Sequence, residues 1–166
     1  MLTATRHTRL IHSAESYVRA TFTEFIPSGD GWTDGVAALQ HEFLTLVRLE
    51  SRRYYALNAD LNNWRNQIKR GDLEFDAAWE DEFKGALRSL VSLASLLIEK
   101  FDAYSNKGLF LAKTRYVGAL ELHRQEAQKI VDSWKSPEWE TTNEQGVKWD
   151  KEQTQFLRSL IGSSCE

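Results

Sequence analysis

Proline is almost missing from this chain. Its two prolines are Pro27 and Pro137, and none occurs from residue 28 to residue 136, where average usage of about 5% would place roughly five. Proline removes a backbone donor and clashes with the preceding helical turn. A span that excludes it for so long reads as long, uninterrupted helices. Cysteine is as scarce: Cys165 is the single one and can form no internal disulfide, which favours a reducing compartment. Long apolar runs are absent too. The longest, Leu90 to Ile98, is broken by Ser92 and Ser95 and is far too short to span a bilayer. The opening residues MLTATRHTRL lack the apolar core of a signal peptide. The expectation is a cytoplasmic protein with no membrane association. A formal charge of −3 gives no bulk electrostatic reason to expect a nucleic acid as partner, although local basic patches leave that reading open.

At 166 residues the chain is long enough to bury about 70% of its unfolded surface. No metal or disulfide is needed merely to fold it, and no cofactor is expected. The composition, 42% hydrophobic and 27% charged, is that of an ordinary globular domain.

Apolar residues recur at three- and four-residue spacing, which predicts amphipathic helices. The first runs from Thr5 to Phe25, with Leu10, Ala14, Tyr17, Val18, Phe22 and Phe25 as its inward stripe. Pro27-Ser28-Gly29-Asp30-Gly31 ends it. Thr33 or Asp34 can cap the second helix, which extends to Arg70. Its stripe is Val36, Phe43, Val47, Tyr54, Leu57, Leu61, Trp64 and Ile68. Gly71 suits the left-handed position after a helix, and Asp72 can cap the third helix directly. That helix, Leu73 to Tyr104, carries Trp79, Phe83, Leu87, Leu90, Ala94, Leu97, Phe101 and Tyr104. The fourth, Leu109 to Trp134, carries Tyr116, Leu120, Ala127, Ile130 and Trp134, and Pro137 stops it. A short helix near Lys148 to Ile161 follows a polar linker.

Long helices with short connections predict an all-α, up-down-up-down four-helix bundle. Residues 1–136 are expected to form the bundle, and residues 137–166 a Trp-rich linker and C-terminal helix packed on it as one domain.

One acid interrupts the second stripe, Glu50, and one imidazole the fourth, His123. The separations Val36 to Glu50 and Leu109 to His123 are equal. Parallel second and fourth helices would bring the two level across the core. Glu126 follows His123 by one turn, while Ser92, Ser95 and Glu15 fall near the same height. A buried charge is tolerated only when paired, and Arg48 or Arg53 could turn inward to neutralise Glu50. Di-metal bundles need a Glu from two helices and Glu-x-x-His from two more. The order here is reversed, His12-x-x-Glu15 and His123-x-x-Glu126, and too poor in ligands, so no metal is expected. A structural hydrogen-bonded layer of Glu50, His123 and Glu126 is the simpler reading, with a ligand- or metal-binding bundle, and even an enzyme, as the alternative.

Arg70-Gly71-Asp72 spells an adhesion motif, but a tight connection between helices explains it. Gly29-x-Gly31 follows a helix rather than a strand, so it is no dinucleotide fingerprint. Arg48, Arg52 and Arg53 form a possible phosphate patch, the basis for a nucleic-acid-binding alternative. No nucleophile motif is present. Six tryptophans are many for this length. Trp64, Trp79 and Trp134 fit inner stripes, whereas Trp32, Trp139 and Trp149 lie in or beside connections. Tryptophan is enriched at interface hot spots, so Trp32, Trp139, Trp149 and Phe156 are the candidate partner contacts. The leading expectation is a non-enzymatic interaction module, an adaptor or small subunit of a larger assembly with a protein partner.

Overall fold

A computed structural model describes residues 4–23, 32–106 and 115–138. Four helices form within them: α1 (Ala4–Thr21), α2 (Trp32–Lys69), α3 (Ala77–Asn106) and α4 (Arg115–Asp132). The described residues are all-helical, without a strand, and their packing is that of a helix bundle. None of these helices is long and apolar enough to cross a membrane. The C-terminal helix, Trp139, Trp149, Phe156 and Cys165, the breakers Pro27 to Gly31, and Leu109 lie outside the described residues, as do the side chains of Trp32 and Tyr116.

The chain divides into two compact units, residues 1–60 with 78–134 and residues 61–77 with 135–166. In the first, α1 meets α2 through His7 with Asp60, Tyr17 with Glu42, and Phe22 with Phe43. It meets α3 through His12 with Ser89 and Glu15 with Ser92. Phe22 anchors an aromatic group, edge-on to Phe43 at 6.1 Å and to Tyr104 at 5.6 Å, with Phe43 tilted against Phe101 at 5.5 Å. Edge-on pairs of this kind each add about 0.5–1.5 kcal/mol beyond area burial. Tyr104 closes the group by donating its hydroxyl to the Thr23 carbonyl, and burial raises its pKa.

α1 buries Ala14, Val18 and Phe22 of the expected stripe but leaves Leu10 and Tyr17 outside. Ala4, His7, Ile11, Ala14, Val18 and Phe22 are buried, whereas Leu10 is 40% and Tyr17 47% exposed. Spacings of three and four hold for both stripes. Leu10 and Tyr17 are bulky, but Ile11, one residue on from Leu10, and Val18 of the expected stripe sit on the line that faces α2 and α3.

In the second unit, α2 ends in a Schellman turn. The Asp72 amide donates to the Gln67 carbonyl at 2.9 Å and the Gly71 amide to Ile68 at 3.0 Å, with Gly71 at φ +80°. This geometry satisfies carbonyls that the helix end would orphan. Asp72 does not cap the next helix as its type suggests; its carboxylate lies 3.3 Å from Arg70 Nε instead. α3 starts at Ala77 rather than Leu73, because residues 73–76 leave the turn in a non-helical path and Asp76 takes the capping position. The detour lets Phe75 reach Trp64, 6.2 Å between ring centres. Thr33 and Asp34 likewise fall inside α2, which begins at Trp32.

Candidate functional site

Glu50 and His123 occupy the inward lines of α2 and α4, and the structure brings them together. His123 Nδ1 lies 2.6 Å from Glu50 Oε1 and 3.2 Å from Oε2. Glu50 is fully buried and His123 is 3% exposed. Burial raises the Glu50 pKa, and the bond and charge of His123 offset part of that rise. Carboxylate and imidazole therefore meet in one short hydrogen bond in a place water does not reach.

Aromatic rings cover the pair. Tyr54, one turn along α2 from Glu50, stacks on the His123 ring at 4.0 Å and 8°, and Tyr55 meets the same ring edge-on at 5.6 Å. The Tyr54 pKa is raised by burial first, then by the charge of Glu126 and by Tyr55 and Glu50. Glu126 thus acts on the tyrosine and is half-buried, rather than joining the carboxylate–imidazole bond.

The arginines expected to neutralise Glu50 lie elsewhere. Arg48 is exposed and Arg53 half-buried, and Arg53 lines a surface groove. Two arginine heads would need to bend inward through a packed stripe, whereas an imidazole on the facing helix already fits the gap. Ser92 and Glu15 bond each other at 3.3 Å on the surface. Among the described residues no group of three or more His, Cys, Asp and Glu side chains is placed to hold a metal.

A second buried imidazole escaped the sequence reading. His7 is fully buried, with Nε2 2.7 Å from Asp60 Oδ2, and its Nδ1 finds no partner among the described residues. The available signal was the spacing of His7 from Ile11 and Ala14.

The groove lies between α1 and α2 and encloses about 610 Å³. Ala14 and Leu46 are its buried floor, Leu10, Tyr17 and Leu49 its apolar walls, and Arg52 and Arg53 part of its rim. Tyr17 donates its hydroxyl to Glu42 at 2.8 Å, and that bond raises the tyrosine's pKa. Arg52 and Arg53 face no carboxylate among the described residues. The three- and four-residue spacing predicts Leu10 and Tyr17 in the core, so the sequence does not reveal this surface. Of the tryptophans assigned to inner stripes, Trp64 is fully buried. Trp79 and Trp134 are half-buried, and Trp134 donates to Glu80 at 2.9 Å while Lys84 sits 5.5 Å over its ring.

No family model, no curated protein and no solved structure matches this chain.

Proposed function

We propose that this protein is a non-enzymatic helical-bundle interaction module, an adaptor or small subunit of a cytoplasmic assembly, and that it takes its partner in the α1–α2 groove. The observation that carries the reading is the exposure of Leu10 and Tyr17 beside a floor of Ala14 and Leu46. Apolar side chains aligned along a concave strip are the usual receptor for a partner helix.

The bundle beneath it is read as up-down-up-down. Rising α1 numbers pair with falling α2 numbers (His7–Asp60, Tyr17–Glu42) and with rising α3 numbers (His12–Ser89, Glu15–Ser92). Glu80 with Trp134 and Val91 beside Arg124 support an α4 antiparallel to α3. The Glu50–His123 layer then fixes the register of α2 against α4, a role that needs pairing and no ligand.

Tagged protein purified from its native host tests the reading. A partner retained by the wild type and lost on Leu10→Glu/Ser13→Glu, with the urea midpoint unchanged, is the expected result. A monomer that retains nothing, or equal retention by the variant, refutes it.

A further inference from the structure

The two ends of the groove carry opposite charge. Tyr17–Glu42 and His7–Asp60 fix the register of α1 on α2, so Glu42 stands beside Tyr17 while Arg52 and Arg53 stand toward Leu10. From Glu42 to Arg53 the α2 backbone rises about 16 Å, or three helical turns. Between the ends the lining is apolar or small: Leu10, Ala14, Leu46 and Leu49.

A helix is itself polar, positive at its N-terminus and negative at its C-terminus. Three turns of amphipathic helix match the length of this groove, and only one direction matches its charges. Resting on the reading that the groove is a docking surface, we propose that its occupant is an amphipathic partner helix lying parallel to α2. Its N-terminal turn sits against Glu42, and its C-terminal turn, carrying carboxylates, sits against Arg52 and Arg53. Apolar side chains at i, i+3 or i+4, and i+7 fill the space between Leu10 and Tyr17. Guanidinium groups pair with carboxylates in a fixed two-pronged geometry, so the arginines set direction while the apolar strip supplies contact.

Two fluorescent synthetic helices with one leucine stripe test this against the full chain by anisotropy at low salt. One carries two Glu in its last turn and two Lys in its first; the other has these exchanged. The Glu-ended helix should bind about tenfold more tightly, and Arg52→Glu/Arg53→Glu should reverse the order. Leu10→Glu/Ser13→Glu should abolish both. Equal binding of the two helices, lost in the Leu10→Glu/Ser13→Glu variant, overturns the proposed direction while leaving the docking surface standing. Binding of neither helix overturns the proposal, and retention of the native partner then decides the docking reading separately. Dodecanoate that binds more tightly than either helix and displaces it would assign the groove to a single-chain anion, which also overturns the proposal.

Discussion

His123→Leu should be among the most damaging single changes in this protein, and its cost should shrink as the pH falls. The substitution leaves Glu50 fully buried and without its 2.6 Å partner. Breaking a buried pair in this way costs about 3–5 kcal/mol, and the loss of the stacked Tyr54 ring adds about 0.5–1.5 kcal/mol. Glu50→Leu is milder, about 1–3 kcal/mol, because the group left unpaired is an imidazole rather than a carboxylate. The double change removes both polar groups and should come within about 1 kcal/mol of the wild type. In urea, with a slope of about 2 kcal/mol/M, His123→Leu should lower the midpoint by about 2 M. The pH dependence follows from the raised Glu50 pKa. Folded Glu50 holds its proton above the ordinary value of 4.5, while the unfolded chain releases it there. Between 4.5 and the raised folded value the native state binds more protons, so the Glu50 contribution to stability falls as pH rises. Without His123 the folded value climbs further, so the penalty of His123→Leu is largest at neutral pH and relaxes toward pH 4.5. Midpoints measured for the four proteins across that range decide the matter. If the two single losses simply add in the double variant, or the His123→Leu penalty does not change with pH, the two groups are not coupled across the core and the reasoning fails.

Three further substitutions probe the scaffold. Gly71→Ala should cost about 1–2 kcal/mol, since a Cβ there meets nothing within 4 Å and the burden is the φ of +80° alone; Gly71→Asn should recover part of it in the same thermal melt. Asp60→Ala should cost about 1–3 kcal/mol by stranding the buried His7 Nε2, while Asp60→Asn, which keeps an acceptor, should cost less; equal losses would show that the bond is not what matters. Ile11→Ala should cost about 2–5 kcal/mol and Leu10→Ala well under 1 kcal/mol, and the reverse order would return Leu10 and Tyr17 to the buried face of α1.

Helix identity was legible because it depends on what the chain excludes. A proline-free stretch with apolar residues every three or four positions has few alternatives, and Gly71 marked a break because only a glycine sits readily at φ +80°. The meeting of Glu50 with His123 was legible for a related reason. Each is a lone polar residue on the midline of an apolar stripe, and a bundle leaves such residues nowhere to go but toward each other. The choice of partner was less legible. An arginine nearby in sequence and an imidazole on a distant helix are equally good on paper; the packed geometry favours the shorter, flatter group. The start of α3 was hidden because Asp72 and Asp76 are both good capping residues, and the contact of Phe75 with Trp64 is a tertiary event.

The face of α1 is the instructive failure, because it concealed the candidate site. Leu10-Ala14-Tyr17 and His7-Ile11-Ala14-Val18 are both helical stripes; the expected stripe takes Leu10 and Tyr17 from the first and Val18 from the second, whose Ile11 and Val18 lie one residue, or about 100°, from Leu10 and Tyr17. Side-chain size favours the first, although the second, continued through Ala4 and Phe22, holds more apolar residues. The second contains a histidine, which looks like an error in a core until Asp60 supplies its partner at 2.7 Å. Once His7 is paired, the helix can rotate its imidazole inward and leave a leucine and a tyrosine outside. An interior polar bond and an exterior apolar strip are thus two consequences of one rotation. A helix with no outside use for Leu10 and Tyr17 would have gained by burying them, at about 25 cal/mol for each Å². Their retention on the surface, beside two arginines without a carboxylate among the described residues, is the physical reason to look for the function in that groove.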